Sequence, residues 1–552
     1  MKIHNISIIK HLSVLLLLVM VTGGYSQTLV YNSCNDDGKR QYRFSDSFTD
    51  YDVQVKGNIV VNDNDTRIVS ISPGGYLKIS KKTFGNKRSV VIESDSKGEL
   101  NFEYYEGRTQ VAWEPEGKKW LEDVLLDVVR RTGIDAEGRT KRIYNKSGLD
   151  GFLEEIDEIY SNSVKGMYFD ALLTNFSLNE NETISAITAI SMEIESNSER
   201  GRLFRQYSDQ FLTTNPVTVA YFEGISKMSS NSERGSVLRK ISKEIDFNDP
   251  KVTEAYFGCI DKMDSNSERG SVLRKLISNQ DMSDAAYARL LLSVQKFSSN
   301  TEMGSVMRSL KKLNLSNQDV SEAWFNAVDK MSSNTESGST LRFMLNNYDL
   351  SKSNMLRFLG SVKKLSSNTE MGSVMRSIKN IDLKDPDLSN AFFMVVKVMS
   401  SNTESASVLR YTIKNHTLNE SAWQDLLATT KMLSSNTEKG TVLRLAADKM
   451  SFSDAVVDSY IIACNQFSSS TEHGMTLSVF VQKDKATKHA IIGALGSARM
   501  IISNTEKSRV LTAVASTSFI SDKEVREEYM ATAHTLTSDS QYRSAVESIE
   551  NK

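Results

Sequence analysis

The chain has 552 residues, 67 Lys and Arg against 69 Asp and Glu, a formal net charge of -2 and 39% apolar residues. That length exceeds what one hydrophobic core supports, so more than one structural unit is expected. Acids and bases are interspersed, which excludes a nucleic-acid binder or a membrane-surface protein driven by bulk charge; electrostatic recognition has to be local.

Met1 to Ser26 have the pattern of a cleavable signal peptide. Lys2 and Lys10 flank a polar start, Leu12 to Val21 form an apolar run, and Gly24-Tyr25-Ser26 supplies small residues before the expected cleavage after Ser26. The mature chain is expected to be secreted or periplasmic. The apolar run is shorter than the roughly 20 residues of a membrane span, and no later stretch is apolar enough to act as one. Cys34, Cys259 and Cys464 are too few for a disulfide framework, and the last two fall at core-facing positions of distant helices.

Residues 27–113 carry a period of two and predict a small antiparallel β domain. The candidate strands are Val53 to Val55, Asn58 to Val61, Arg67 to Ile71, Tyr76 to Ser80, Ser89 to Glu93 and Glu99 to Tyr105. Turn signals lie between them at Asn62-Asp63-Asn64-Asp65, Pro73-Gly74-Gly75, Gly85-Asn86 and Lys97-Gly98. Asp63-Asn64-Asp65 lacks the later Gly and distal Glu of a calcium loop, so an ordinary turn is expected there. Tyr104, Tyr105 and Trp113 are core candidates by strand spacing, with an aromatic glycan platform as the alternative.

Residues 114–147 form a helical junction. Trp120, Leu121, Val124, Leu125, Val128 and Val129 recur at three and four residues, and Gly133 is a C-cap signal. Arg130, Arg131, Arg139, Lys141 and Arg142 have few acids beside them in sequence, which predicts a solvated basic surface.

From residue 148 to 552 one block returns every 34 or 35 residues, represented by Ser299-Asn300-Thr301-Glu302-Met303-Gly304-Ser305-Val306-Met307-Arg308. Its Asn position is filled by Asn162, Asn197, Asn231, Asn266, Asn300, Asn334, Asn368, Asn402 and Asn436, then Ser470, Asn504 and Asp539. A fixed period of that size means helical pairs that bury their apolar faces by stacking. Counting from the Asn, apolar residues at -10, -6 and -3 define a helix A, and Ser-Asn-Ser/Thr-Glu has the form of a capping box opening a helix B. In that reading the Glu side chain returns to the amide of the capping Ser. Position +4 is Gly in most repeats, which implies close approach of successive B helices, because Gly inside a helix costs roughly 1 kcal/mol. Position +8 is Arg at Arg205, Arg239, Arg274, Arg308, Arg342, Arg376, Arg410 and Arg444. These eight form a candidate partner-binding ladder; the structural reading pairs each with carbonyls or acids of an adjacent repeat.

The fold expected is mainly α: a right-handed-type α-solenoid of about twelve helix-pair repeats preceded by the small antiparallel β domain. The period matches tetratricopeptide repeats in length without their Trp, Leu-Gly, Tyr and Pro positions, and the helical pairs are similar to HEAT repeats. Ser70-Ile71-Ser72-Pro73-Gly74-Gly75-Tyr76-Leu77 in a β module, followed by Ser-Asn-Thr-Glu-x-Gly repeats, resembles exported bacterial α-solenoid proteins with an N-terminal β module. That resemblance concerns architecture and implies no ligand. His416, His473, His489 and His534 lie in separate repeats, and no metal, phosphate-loop or nucleophile motif occurs. The sequence therefore assigns no catalytic residue, cofactor or metal. The function expected is a non-catalytic scaffold binding a protein or extended polymer along the solenoid. The alternative is a glycan-binding β domain with the solenoid as spacer.

Overall fold

In the computed structural model, residues 28–34, 38–45 and 48–550 are described, so the expected signal segment and cleavage site lie outside the described residues. Nine strands are present among the described residues: β1 (Thr28–Cys34), β2 (Lys39–Ser45), β3 (Thr49–Lys56), β4 (Ile59–Val61), β5 (Ile68–Ile71), β6 (Tyr76–Thr83), β7 (Asn86–Ser94), β8 (Leu100–Glu106) and β9 (Thr109–Val111). Seven form an antiparallel sheet in the order β1-β2-β3-β6-β7-β8-β9, and β4 pairs with β5 as a separate hairpin. The six expected strands correspond to β3 to β8. The two leading strands and β9 were not legible, because β2 carries Lys39, Arg40, Gln41 and Arg43 among its seven residues and only Tyr42 and Phe44 point into the core.

One face of the sheet buries Val53, Val55, Leu77, Ile79, Val90, Ile92 and Tyr104 against α1 (Lys118–Thr132), which presents Trp120, Leu121, Val124, Leu125, Val128 and Val129. The apolar stripe of the junction helix thus completes the core of the β module. Gly133 ends α1 in the left-handed region at φ 69°, its amide donating to the Val129 carbonyl at 2.9 Å. Tyr104 is buried and Trp113 stacks on Phe102 at 4.6 Å, so these rings belong to the core and form no exposed platform.

The junction cations differ from the expected solvated surface. Arg139, in α2 (Ala136–Asp157), is buried and donates to Asp65 at 2.6 Å, to Glu155 at 2.9 Å and to the Tyr168 hydroxyl. Burial opposes its charge, but the surrounding Tyr168, Asp65 and Glu155 hold its pKa above the ordinary value. Asp65 sits in the β4–β5 turn at φ 53°, so the Asp63-Asn64-Asp65 segment is a turn whose last carboxylate fastens the hairpin to α2. Arg130 pairs with Glu155 and Glu158, Arg131 with Asp127, Lys141 with Glu137 and Arg142 with Asp135. Folding brings in Asp65, Glu155 and Glu158 from beyond the segment, and a local charge count cannot register them.

The described residues divide into two compact units between Ile245 and Asp246. The first holds the β module and three helical pairs, with B helices Asn162–Asn175, Asn197–Gln206 and Asn231–Lys240. The second holds nine pairs, from Pro250–Asp261 with Asn266–Asn279 to Lys523–Ala533 with Asp539–Glu550. Twelve pairs among the described residues agree with the expected repeat number. Within each unit A helices stack on A helices and B helices on B helices. The predicted faces are buried: Trp324, Val328 and Met331 of one A helix meet Leu341 and Met344 of the following B helix in the core. Cys259 and Cys464 are buried at the A-helix positions assigned to them.

Replacing Arg139 with Ala would strand the Asp65 and Glu155 carboxylates in the module core. A loss of about 3–5 kcal/mol is expected, the usual cost of breaking a buried ion pair, measured by urea denaturation followed by near-ultraviolet circular dichroism.

Candidate functional site

Each repeat block begins with a helix cap. The Ser299 Oγ accepts from the Glu302 amide at 3.3 Å, and Ser333, Ser367, Ser401, Ser435 and Ser469 do the same one repeat apart. The expected return of the Glu side chain to the capping amide is not what forms, and the capping-box reading of this Glu is corrected. That reciprocal arrangement occurs at Asn179 and Glu182, outside the block. In the block, the amide at the cap is taken by the preceding repeat.

The agent is the register Asn. Asn334 Oδ1 accepts from the amides of Ser366 and Ser367 at 2.8 and 3.2 Å, while its Nδ2 donates to the Ser366 hydroxyl at 2.9 Å. Asn197, Asn368, Asn402 and Asn436 make the same three-point clasp on the next A-to-B turn. The clasp satisfies amide donors that a tight turn leaves without helical partners. It also explains the paired Ser that precedes the Asn: the first receives the clasp and the second caps the helix.

The freed Glu turns to the ladder. Arg308 Nη1 donates to Glu336 Oε2 at 2.9 Å and to Thr340 Oγ1 at 3.2 Å. The equivalent pairs are Arg205 with Glu233, Arg274 with Glu302, Arg342 with Glu370, Arg376 with Glu404, Arg410 with Glu438 and Arg444 with Glu472, all between 2.7 and 2.9 Å. Arg239 lies in the last turn of its B helix and is partly buried. The seven paired Arg side chains remain 22–35% exposed.

Position +4 is small for a specific reason. A Cβ on Gly304 would lie 2.4 Å from Glu336 Oε2 and 2.6 Å from Arg308 Nη1, and Gly338, Gly372 and Gly440 are equally crowded. At Ala406 a methyl is present and the Arg410–Glu438 pair still closes at 2.7 Å, so the limit falls on side chains larger than Ala.

At the ends of the ladder the Glu meets a guanidinium from its own helix. Where the preceding +8 residue is Asp170 or Ser478, no Arg reaches forward, and the next repeat has Arg at +5 instead. Arg202 then pairs with Glu199 at 2.5 Å, and Arg509 with Glu506 at 3.1 Å, each within its own helix. This exchange of +8 for +5 is visible in the sequence once the pairing is known.

Position +3 performs a further stacking task. Lys439 Nζ donates to the Gln466 carbonyl at 2.8 Å and Lys507 Nζ to the Thr535 carbonyl at 3.0 Å, each at the end of the next A helix. In one repeat this position is His473, buried, with Nε2 2.8 Å from the Ser497 hydroxyl, which itself donates to Asn465. Burial lowers its pKa to about 4. Among the described residues, no group of three or more His, Cys, Asp or Glu is placed to hold a metal ion, and no helix is long and apolar enough to cross a membrane.

No family model matches the chain, and no curated protein matches it. Among solved structures, a homology model of the full-length AP-3 complex in an intermediate open conformation aligns at 14% identity and TM-score 0.29, covering 78% of this chain and 85% of the other. The S. pombe condensin Cnd3-Cnd2 subcomplex aligns at 8% identity and TM-score 0.17, covering 79% and 76%. The Chs5-Bch1 exomer cargo adaptor complex aligns at 10% identity and TM-score 0.17, covering 92% and 85%. TM-scores this low do not define a common fold.

A double-mutant cycle on Arg342→Ala and Glu370→Gln should give a coupling of about 1 kcal/mol, at the upper end for half-exposed ion pairs, measured by chemical denaturation. His473 yields a pH dependence. Its folded pKa lies below the unfolded value, so the unfolded chain takes up a proton first as pH falls. Stability is complete above about pH 6.5 and declines toward pH 4, by up to about 3 kcal/mol. His473→Gln should flatten that segment of the melting-temperature profile relative to the wild type.

Proposed function

We propose that the chain is an exported, non-catalytic scaffold that holds a carboxylate-rich protein or extended polymer along the ladder edge of its repeats. The observation that carries this reading is the division of each guanidinium. One terminal nitrogen is committed to the Glu of the next repeat and to a Ser or Thr hydroxyl there, and the rest of the partly exposed guanidinium recurs at a fixed spacing. Arg274 and Arg308 also open onto a cleft of about 650 Å³ that contains Lys311, Lys312 and Asp281, the last paired with Lys312 at 3.0 Å. A regularly spaced row of forks suits an extended ligand better than a compact one, since each repeat adds one weak, similar contact.

Changing Arg274, Arg308 and Arg342 together to Lys tests this reading. Lys keeps the charge facing Glu302, Glu336 and Glu370 but loses the planar fork. Binding of poly-L-glutamate and of native envelope extract, measured by pull-down, should fall several-fold while the melting temperature changes little. Undiminished capture by the folded triple variant would remove the ladder from the binding surface.

A further inference from the structure

The β module ends in a feature that its own folding does not account for. Strands β6 and β7 are joined by Phe84 and Gly85, with Thr83 paired to Asn86. Both turn residues have positive φ, 48° at Phe84 and 86° at Gly85. A two-residue turn of this kind favours Asn-Gly, because the left-handed region is unfavourable for a bulky side chain at its first position. Phe84 bears that strain and gains no burial, being 76% exposed. Phe48, from the neighbouring β2–β3 connection, is 63% exposed, and its ring lies 5.1 Å from that of Phe84. The Phe84 amide donates to the Phe48 carbonyl at 3.2 Å, so the two loops present their rings together.

Beneath the rings lies a second departure from local preference. Lys82 faces Lys87 across the hairpin and Lys81 faces Arg88, although like charges opposite one another weaken a strand pair. The neighbouring acids offset these cations only in part: Arg88 pairs with Glu106 at 3.3 Å, and Asp50 lies across from Lys82 on β3. Lys81 leans over the Tyr51 ring at 5.0 Å. A shallow cleft of about 400 Å³ below the tip is lined by Arg43, Ser80, Lys82 and Lys87 together with Asp50 and Asp52, and Asp52 is paired with Arg43.

We infer that this tip is a contact for an anionic lipid bilayer: the Phe48 and Phe84 rings enter the headgroup boundary and the Lys and Arg collar meets lipid phosphates. Aromatic rings prefer that boundary, and long basic side chains keep their charged ends at its surface. Charge complementarity fits an anionic leaflet, each nearby cation adding attraction that salt screens. Size distinguishes a bilayer from a protein partner. Two rings and four cations fall well short of the roughly 800 Å² per side of a stable protein interface, whereas a bilayer needs only rings and charges. A single such tip binds weakly and reversibly.

The test is co-sedimentation of the full-length mature chain with vesicles of phosphatidylglycerol and phosphatidylcholine, against phosphatidylcholine alone. The wild type should bind the anionic vesicles at low salt, lose most of that binding at high salt, and bind the neutral vesicles several-fold less. Phe84→Asn places the favoured residue in the turn, so the melting temperature should hold or rise while vesicle binding falls several-fold. Phe48→Ala should also lower binding, and Lys82→Ser with Lys87→Ser should abolish the preference for anionic lipid. The proposal is overturned if the wild type ignores anionic vesicles, if Phe84→Asn binds them as well as wild type, or if Phe84→Asn lowers the melting temperature as loss of a structural contact would.

Discussion

Repeat stacking in this chain depends on satisfying the polar groups of each A-to-B turn from the repeat before it. Apolar burial brings the helical pairs together and leaves turn amides and carboxylates partly shielded from water, where a missing partner is costly. The Asn clasp and the Arg–Glu pair discharge that cost at fixed positions. Once both are in place, the neighbouring residues are constrained in turn. Gly or Ala must stand at +4 to admit the carboxylate, a capping Ser precedes the Asn with a second Ser ahead of it in most repeats, and a cation at +3 answers carbonyls at the end of the next A helix where Lys439 and Lys507 stand. The conservatism of the block from repeat to repeat therefore records one interface copied many times.

How much of this could be read from the sequence depended on the range of each interaction. Helix periodicity, the Ser cap and the buried faces are set within a few residues, and all were legible. The need for a small residue at +4 was also visible, though the atom that requires it, Glu336 Oε2 against Gly304, was not. Contacts 28 to 33 residues apart were legible only in part: pairing of a ladder Arg with an acid of an adjacent repeat was one of its two readings, but which acid was not. Glu336 was assigned to its own helix cap because the spacing suits a capping box, and the stronger charge-assisted bond to Arg308 comes from the preceding repeat. The junction shows the same effect: Arg139 looks solvated beside its sequence neighbours and is buried among Asp65, Glu155 and Tyr168 once the chain folds.

The β module joins the first repeats through a core rather than through a tether. Its sheet has α1 as its second layer, and the Arg139 network fixes the β4–β5 hairpin to α2. The hairpin tip lies apart from that core, at the end of β6 and β7, and is the part of the module least explained by its own stability.

The clasp has a direction. In the middle repeats Asn and Arg reach toward the next repeat, while Ser and Glu receive, so each such repeat has unlike leading and trailing faces, a head-to-tail arrangement. The first and last of the twelve described repeats depart from this pattern. The first B helix carries buried Val164 where later repeats carry the receiving Glu, and the last carries Asp539 and Glu547 where Asn and Arg would reach forward. The interface that joins successive middle repeats is therefore not reproduced at Val164, nor at Asp539 and Glu547, where a carboxylate can accept but can no longer donate.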